Sequence, residues 1–268
     1  MNIKRLWLIV ILLTLCTGRA LAWEDPCIDA PHDWRYEDET RSIAVNRVSE
    51  GNLTWYVADV QLADASGWKA VTSSGKAPLT ALVAGTDAVL AINGDDFGTH
   101  RYGVIIRNGE LMRRQDTTRH MLIVAGDGSL SMVTDCKQNG CKELADRLLA
   151  ENVRQTYEFG PALIESGAAL SFPKAFDVIS TRSTRKEPRT AIGQISPLHY
   201  CVIVVDGRQP GYSEGISLQD LQQLFLRYGV QLAFNLDGGG STEMWFQGEI
   251  INHPSDEHER SISDAICF

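Results

Sequence analysis

Four short polar segments, three of them at the ends of apolar runs, hold residue types that could bind an anion beside a carboxylate. Asn93-Gly94-Asp95-Asp96-Phe97-Gly98 follows the apolar residues 88–92, Asp206-Gly207-Arg208 follows 201–205, and Asp237-Gly238-Gly239-Gly240-Ser241-Thr242 follows 232–236. Pro188-Arg189-Thr190-Ala191-Ile192-Gly193 closes a stretch that also carries Arg182, Arg185 and Lys186. Three successive glycines leave no side chain beside Asp237, so a ligand can approach the backbone and its amides can form an anion-binding concavity. Ser241 and Thr242 add hydroxyl donors, and the planar forks of Arg189 and Arg208 suit phosphate oxygens. Each segment alone reads equally well as a solvated turn. Together, in an acidic chain, they describe an anion site next to a candidate catalytic acid, Asp237, with Asp206 as its alternate or partner. No lysine follows the glycines and a strand-like run does, which disfavours a phosphate-binding loop of the nucleotide triphosphatase kind.

These segments need elements to hold them. Alternation over residues 53–60 predicts a strand, residues 78–83 suit a short helix, and 88–92 read as a buried strand. Residues 103–107 and 110–113 around Asn108-Gly109 predict a hairpin, and 121–125 with 130–133 around Gly126-Asp127-Gly128 predict a second. Residues 143–152 carry Leu144, Leu148 and Leu149 on one helical face. The unbroken apolar run 201–205 predicts a strand buried on both sides. Ser217, with Asp220 three residues on, caps a helix that Gly229 stops, and a strand over 232–236 follows. A last hairpin is expected around Gln247-Gly248. Strands outnumber helices, so the fold class is mixed α+β: one domain with a mixed or antiparallel sheet and a few packed helices.

The chain has 268 residues, 44% hydrophobic and 22% charged, enough for a substantial core and inconsistent with intrinsic disorder as its main state. Lys4 and Arg5 precede an apolar stretch, residues 6–16, too short to span a bilayer, and Ala20-Leu21-Ala22 offers small residues at the cleavage positions. A signal peptide over residues 1–22 and a domain over 23–268 are expected, with export to the periplasm or beyond and no stable membrane insertion after cleavage. Leu15 before Cys16 argues against a lipid anchor. The formal net charge is −9, and loss of Lys4, Arg5 and Arg19 would make the remainder more acidic, so nucleic acid is not an expected partner. Export permits disulfides: Cys136 with Cys141 is the best pair, Cys27 with Cys267 could tie the ends, and Cys201 reads as a buried thiol.

Asn93-Gly94, Pro188-Arg189-Thr190, Asp206-Gly207-Arg208, Gly211-Tyr212-Ser213 with Gly215, Asn235-Leu236-Asp237-Gly238-Gly239-Gly240-Ser241 and Glu259-Arg260 occur in this order. That ordered set resembles the phosphodiester glycosidase family, from about Leu53 to Phe268. The resemblance implies hydrolysis of a sugar-1-phosphodiester of the N-acetylglucosamine type, in envelope or extracellular glycans. The anomeric C–O bond would break to release free sugar and a phosphomonoester. A phosphate leaves readily as an anion, so arginines can replace much of the usual general-acid work. On this reading Arg189 and Arg208 hold the phosphate, assisted by Thr190, Thr242 and the segment Gly238, Gly239, Gly240 and Ser241. Asp237 acts at the sugar as nucleophile or base, and Asn93 bonds a sugar hydroxyl or orients a carboxylate. Arg260 is expected in an ion pair, with a second phosphate contact as the alternative.

The chain departs from the family pattern at Asp96, where an aromatic is common, and at Glu243, which stands where a hydroxyl residue is usual. No cofactor is required by this reading. Asp95, Asp96 and Glu243, with Asp206 and Asp237, are nevertheless candidates to attract Ca²⁺ or Mg²⁺, since hard cations take oxygen ligands. Two other readings use the same residues: a non-catalytic module binding anionic polysaccharide, and a metal-dependent phosphodiesterase cutting P–O.

Overall fold

Antiparallel strands form most of the structure, many of them short unbroken apolar runs such as those of residues 104–106, 121–124 and 201–205. The computed structural model describes residues 33–134, 141–172 and 184–268. The strands are β1 (Trp34–Glu37), β2 (Arg41–Glu50), β3 (Leu53–Leu62), β4 (Lys69–Ala77), β5 (Leu90–Asn93), β6 (Val104–Arg107), β7 (Glu110–Arg114), β8 (Met121–Val124), β9 (Leu130–Val133), β10 (Gln155–Glu158), β11 (Ala162–Glu165), β12 (Ala168–Ala169), β13 (Arg189–Ser196), β14 (His199–Val205), β15 (Leu232–Asn235), β16 (Met244–Phe246), β17 (Glu249–Ile250) and β18 (Ile262–Cys267). The α-helices among the described residues are α1 (Leu79–Val83), α2 (Cys141–Ala150) and α3 (Leu218–Arg227). None is long and apolar enough to cross a membrane.

The largest sheet runs β1-β2-β3-β14-β13-β15-β11-β12, and a five-stranded sheet runs β17-β16-β5-β18-β4. Val202 and Val204 of β14 join Leu90 and Ile92 of β5, Met244 and Ile266 in the core between the two sheets. Cys201, Ile203 and Val205 point the other way, into a second core under Leu218, Leu221, Leu224 and Phe225 of α3. The strand is thus buried on both faces, as its unbroken apolar run predicts. Each such side chain contributes roughly 1.5–3 kcal/mol on burial. Leu79, Leu82 and Val83 of α1 cover the outer face of the five-stranded sheet, on Ala91, Ala265 and Cys267. The mixed α+β expectation therefore describes the architecture.

Register decides where the polar segments meet. Arg189 pairs with Val205, and Ala191 pairs with Asn235, so the start of β13 and the ends of β14 and β15 share one end of the large sheet. The end of β5 arrives there from the other sheet, where Asn93 pairs with Ala265. The Ser217 cap forms as expected, its side chain accepting from Asp220 N at 3.0 Å. Gly229 ends the helix region at φ +66°.

Strands β1, β2, β4, β10, β11, β12, β13 and β18 carry no expectation from sequence. Strand β18 reads Ile262-Ser263-Asp264-Ala265-Ile266-Cys267, and every residue of it is buried, including an aspartate that sequence pattern alone would place in a loop. The expected signal peptide lies outside the described residues, as do Cys27 and Cys136, so the Cys136–Cys141 pairing stays an expectation. Cys267 is a buried thiol. It sits inside β18 with its side chain in the α1 core, which corrects the suggested bridge to Cys27.

Candidate active site

The four polar segments converge. Asn93 is 1% exposed and joins three of the elements that meet there. Its Oδ1 accepts from Thr190 Oγ1 at 2.6 Å and from Glu243 N at 3.3 Å, and its Nδ2 donates to Asp237 O at 2.8 Å. Asp237 N in turn donates to Gly94 O at 3.2 Å. The short polar residue at the end of β5 therefore fixes the backbone of the carboxylate at the end of β15. Both Asn93 and Thr190 act here as struts.

The glycines after Asp237 serve close approach, though the neighbours are protein groups. A Cβ on Gly238 would lie 2.8 Å from the carbonyl oxygen of Pro188. Gly239, at φ +63°, packs against the Arg208 guanidinium, with a Cβ position 3.1 Å from Nη2. On Gly240 a Cβ would strike Arg260 Nη2 and Asp256 Oδ2. Arg208 and Arg260 thus lie over the glycine turn, one beside each residue. A cleft of about 400 Å³ opens against the same turn, lined among others by Arg185, Glu187, Arg189, Arg208, Asp237 and Arg260. Phe159, Gly160 and Pro161 form part of its wall.

Asp237 Oδ1 accepts from Gly238 N at 2.9 Å. Burial pushes its carboxyl up to about 6; the hydrogen bonds from Ser241 and Gly238 oppose that rise, while the neighbouring charges of Asp96 and Asp95 add to it. The result is a carboxylate that holds its proton unusually tightly at the edge of an arginine-lined cleft.

Asp206 has a different station. It is 1% exposed, and its oxygens accept from Asn252 Nδ2 at 2.9 Å, Tyr212 Oη at 2.8 Å and His253 N at 3.1 Å. Burial raises its carboxyl too, against those hydrogen bonds. Asp206 is not among the residues lining the cleft; it fastens the loop that follows Asn252, which carries Arg260, to the loop that carries Arg208. Glu243 is wholly buried, with Oε1 accepting from Arg260 N at 2.9 Å and Oε2 without a hydrogen-bond partner. Burial raises its carboxyl to about 8. Thr242 is buried beneath the turn with its hydroxyl inward, while Ser241 reaches Asp237.

The candidate cation ligands do not converge. Asp95 accepts from Arg107 Nη2 at 2.9 Å and from Glu158 N at 2.8 Å. Asp96 pairs with Arg119 and with His100 Nε2; burial opposes, yet these partners hold its carboxyl at about 2. Glu243 faces Arg260 instead. Among the described residues no group of three His, Cys, Asp or Glu side chains is placed to hold a metal ion.

Two features escaped sequence reasoning. Arg107, 3% exposed, bridges Asp95 and Asp264 at 2.9 and 2.8 Å and braces the loop behind Asp237 from below. Glu187 binds Arg208 Nε at 2.7 Å. An arginine at the end of an apolar strand followed by a turn reads as a surface group, so only the three-dimensional contact identifies the first. The second sits one residue before the Pro-Arg-Thr motif and carries no pattern of its own.

Comparison with known proteins identifies the family. The family model for phosphodiester glycosidase matches residues 86–268. An uncharacterized SPbeta prophage-derived protein, YomE of Bacillus subtilis (strain 168), is 33% identical over 189 residues, 68% of this chain and 28% of its own length. The N-acetylglucosamine-1-phosphodiester alpha-N-acetylglucosaminidase of Bos taurus is 33% identical over 104 residues, 36% of this chain and 18% of that protein. The chain thus spans well under a third of either relative. In fold it is similar to the zebrafish N-acetylglucosamine-1-phosphodiester alpha-N-acetylglucosaminidase catalytic domain, auto-inhibited by its pro-peptide. The TM-score is 0.69 at 17% identity, over 90% of this chain and 84% of that one. A putative exported protein of Burkholderia pseudomallei K96243 aligns with a TM-score of 0.56 at 14% identity, covering 80% of this chain and 74% of its own. The match over residues 86–268 includes every segment that meets at the cleft, and the chain belongs to the phosphodiester glycosidase family.

Proposed function

We propose that this protein hydrolyses a sugar-1-phosphodiester at the anomeric carbon, with an N-acetylglucosamine-type sugar as the first candidate. The observation that carries the reading is Asp237, its carboxyl raised to about 6, on a glycine turn under Arg208 and Arg260 at the edge of the cleft. A carboxylate with that proton affinity suits attack on the anomeric carbon or removal of a proton from attacking water near neutral pH. Arg189 and Arg208 hold the phosphate, with Arg260 as a further contact. The C1–O bond breaks with its electron pair leaving on the phosphate oxygen, and water supplies the hydroxyl of the free sugar. Arginines stabilise the departing anion, which lowers the demand for a general acid. The relatives whose names specify an N-acetylglucosamine-1-phosphodiester support the choice of sugar. The export signal expected over residues 1–22 supports action in the periplasm or outside the cell, on envelope or extracellular glycans.

The test is hydrolysis of an N-acetylglucosamine-1-phosphodiester in ¹⁸O-water. Label in the reducing sugar with unlabelled phosphomonoester is the expected result. Label in the phosphate would mean P–O cleavage and overturn the proposal. Binding of the substrate without turnover would point to a module that holds anionic polysaccharide.

A further inference from the structure

The arginines of the cleft already have a resident anion. Glu187 Oε2 accepts from Arg208 Nε at 2.7 Å, and its Oε1 lies 3.6 Å from Arg185 Nε. Its side chain is only 13% exposed and lines the cleft with Arg185, Arg189, Arg208 and Arg260. The carboxylate is set in place by its backbone. Glu187 N donates to Ile216 O at 3.2 Å and Ile216 N to Glu187 O at 3.0 Å. Gly215, at φ +93°, lets the two segments touch, since a Cβ there would lie 2.6 Å from the Glu187 carbonyl. Gly207 allows the same closeness on the other side, against Pro188 N at 2.7 Å.

Four arginines with no acid among them would favour whichever phosphate carries the most charge. A phosphodiester bears one negative charge, whereas a phosphomonoester loses its second proton near pH 6 and bears two above that. An arginine cleft alone would therefore hold the cleaved phosphomonoester more tightly than the uncleaved diester. A fixed carboxylate reduces that preference, because it lowers the positive potential of the cleft and its repulsion scales with the charge of the bound anion. Asp237 and Asp256, the latter paired with Arg260, add to the negative side. Glu187 sits between two of the arginines that face the cleft, Arg185 and Arg208, and itself lines it.

We infer that Glu187 is a specificity-determining residue: it is a built-in counter-charge that fits the arginine cleft to a phosphate bearing one negative charge and weakens its hold on one bearing two. The inference rests on the cleft being the phosphate site proposed above, and not on turnover. It implies rapid release of the phosphomonoester product.

The test titrates the full chain at pH 8 with dimethyl phosphate, a monoanion, and methyl phosphate, a dianion, following chemical shifts. Glu187→Gln keeps the shape and an acceptor for Arg208 Nε while removing the charge. Affinity should rise about tenfold per unit of anion charge. The variant is thus expected to tighten on methyl phosphate about tenfold more than on dimethyl phosphate. An unchanged ratio, even with both affinities raised, overturns the inference, as does failure of both anions to bind. If the variant does not fold, the wild-type ratio decides: a preference for methyl phosphate above about tenfold overturns the inference, and near parity supports it. A shifted ratio in a protein that never hydrolyses the glycosyl substrate would sink the hydrolase reading alone. Turnover with an unshifted ratio would sink the role of Glu187 alone.

Discussion

Replacing Asp237 by asparagine should abolish turnover and, at the same time, stabilise the fold above neutral pH. The native carboxyl titrates near 6, against 3.8 for an ordinary aspartate, chiefly because burial disfavours the charge. At about 1.4 kcal/mol per unit, the ionised side chain costs the native state about 3 kcal/mol, a ceiling that solvent at the open side of the cleft lowers. By linkage, a raised carboxyl binds its proton more tightly in the native state, so the stability this group contributes is fully present below about pH 4 and is lost as pH rises through about 6. The asparagine would keep the acceptor for Gly238 N, 2.9 Å away in the wild type, without the charge. Urea unfolding at pH 8 should therefore place Asp237→Asn above the wild type by about 2–3 kcal/mol, with an unchanged denaturant slope and convergence near pH 4. Equal stabilities at pH 8 would refute the argument that burial dominates at this carboxylate. Full turnover by the folded variant would refute its place in the chemistry.

The remaining expectations follow from particular contacts. Arg208→Lys keeps a charge but loses the planar fork, so KM for the diester should rise about 10–100-fold, read from steady-state kinetics, while the unfolding midpoint stays put. Gly238→Ala drives a Cβ to 2.8 Å from the Pro188 carbonyl oxygen, a backbone atom with no freedom to retreat, and should destabilise by about 1–3 kcal/mol in the same urea assay. Gly240→Ala meets Arg260 and Asp256 at the ends of movable side chains, so it should fold normally and lose phosphate affinity in a methyl phosphate titration. Glu243, raised to about 8 from 4.5, also weakens the fold as pH climbs; Glu243→Gln should gain stability over the wild type from pH 5 to pH 8, and thermal melts without that widening gap would count against it.

The meeting of the polar segments was legible where it depended on residue type at a strand end. Asn93, Arg189, Asp206 and Asp237 all stand at or just beyond the ends of strands, and the register of β13, β14 and β15 turns that shared sequence position into a shared place in space. Their division of labour was not legible. Asp206 and Asp237 look alike in sequence, each an aspartate and a glycine after an apolar run. Three donors from Tyr212, Asn252 and His253 separate them, and two of those lie over forty residues further along the chain. The glycines were rightly read as places of close approach, but the approaching groups are Pro188, Arg208 and Arg260. Helix α3 and the hairpin of β6 and β7 could be read locally, from a cap and from Asn108-Gly109, both at positive φ. Strand β18 could not, because Asp264 is buried only by virtue of Arg107, 157 residues away in sequence.

That last pair bears on how Asp237 could act without a second free carboxylate in the proposed hydrolysis. Arg107 bridges Asp95 and Asp264 from below, and Arg119 with His100 binds Asp96 from the side. These acids therefore stay in place beside Asp237, and the negative field of Asp96 and Asp95 joins burial in raising its proton affinity. Among the described residues lining the cleft, Glu187 is committed to Arg208, which leaves Asp237 as the carboxylate without an ion-pair partner there, the one the proposed hydrolysis would use. A glycosidase acting on an alkyl leaving group needs a second carboxyl group to protonate the departing oxygen. A phosphate leaving group departs as an anion, and what it needs is positive charge at fixed positions. In the proposed hydrolysis that charge would come from the arginines over the glycine turn, whose loops Asp206 and Glu243 fasten at one end of the large sheet.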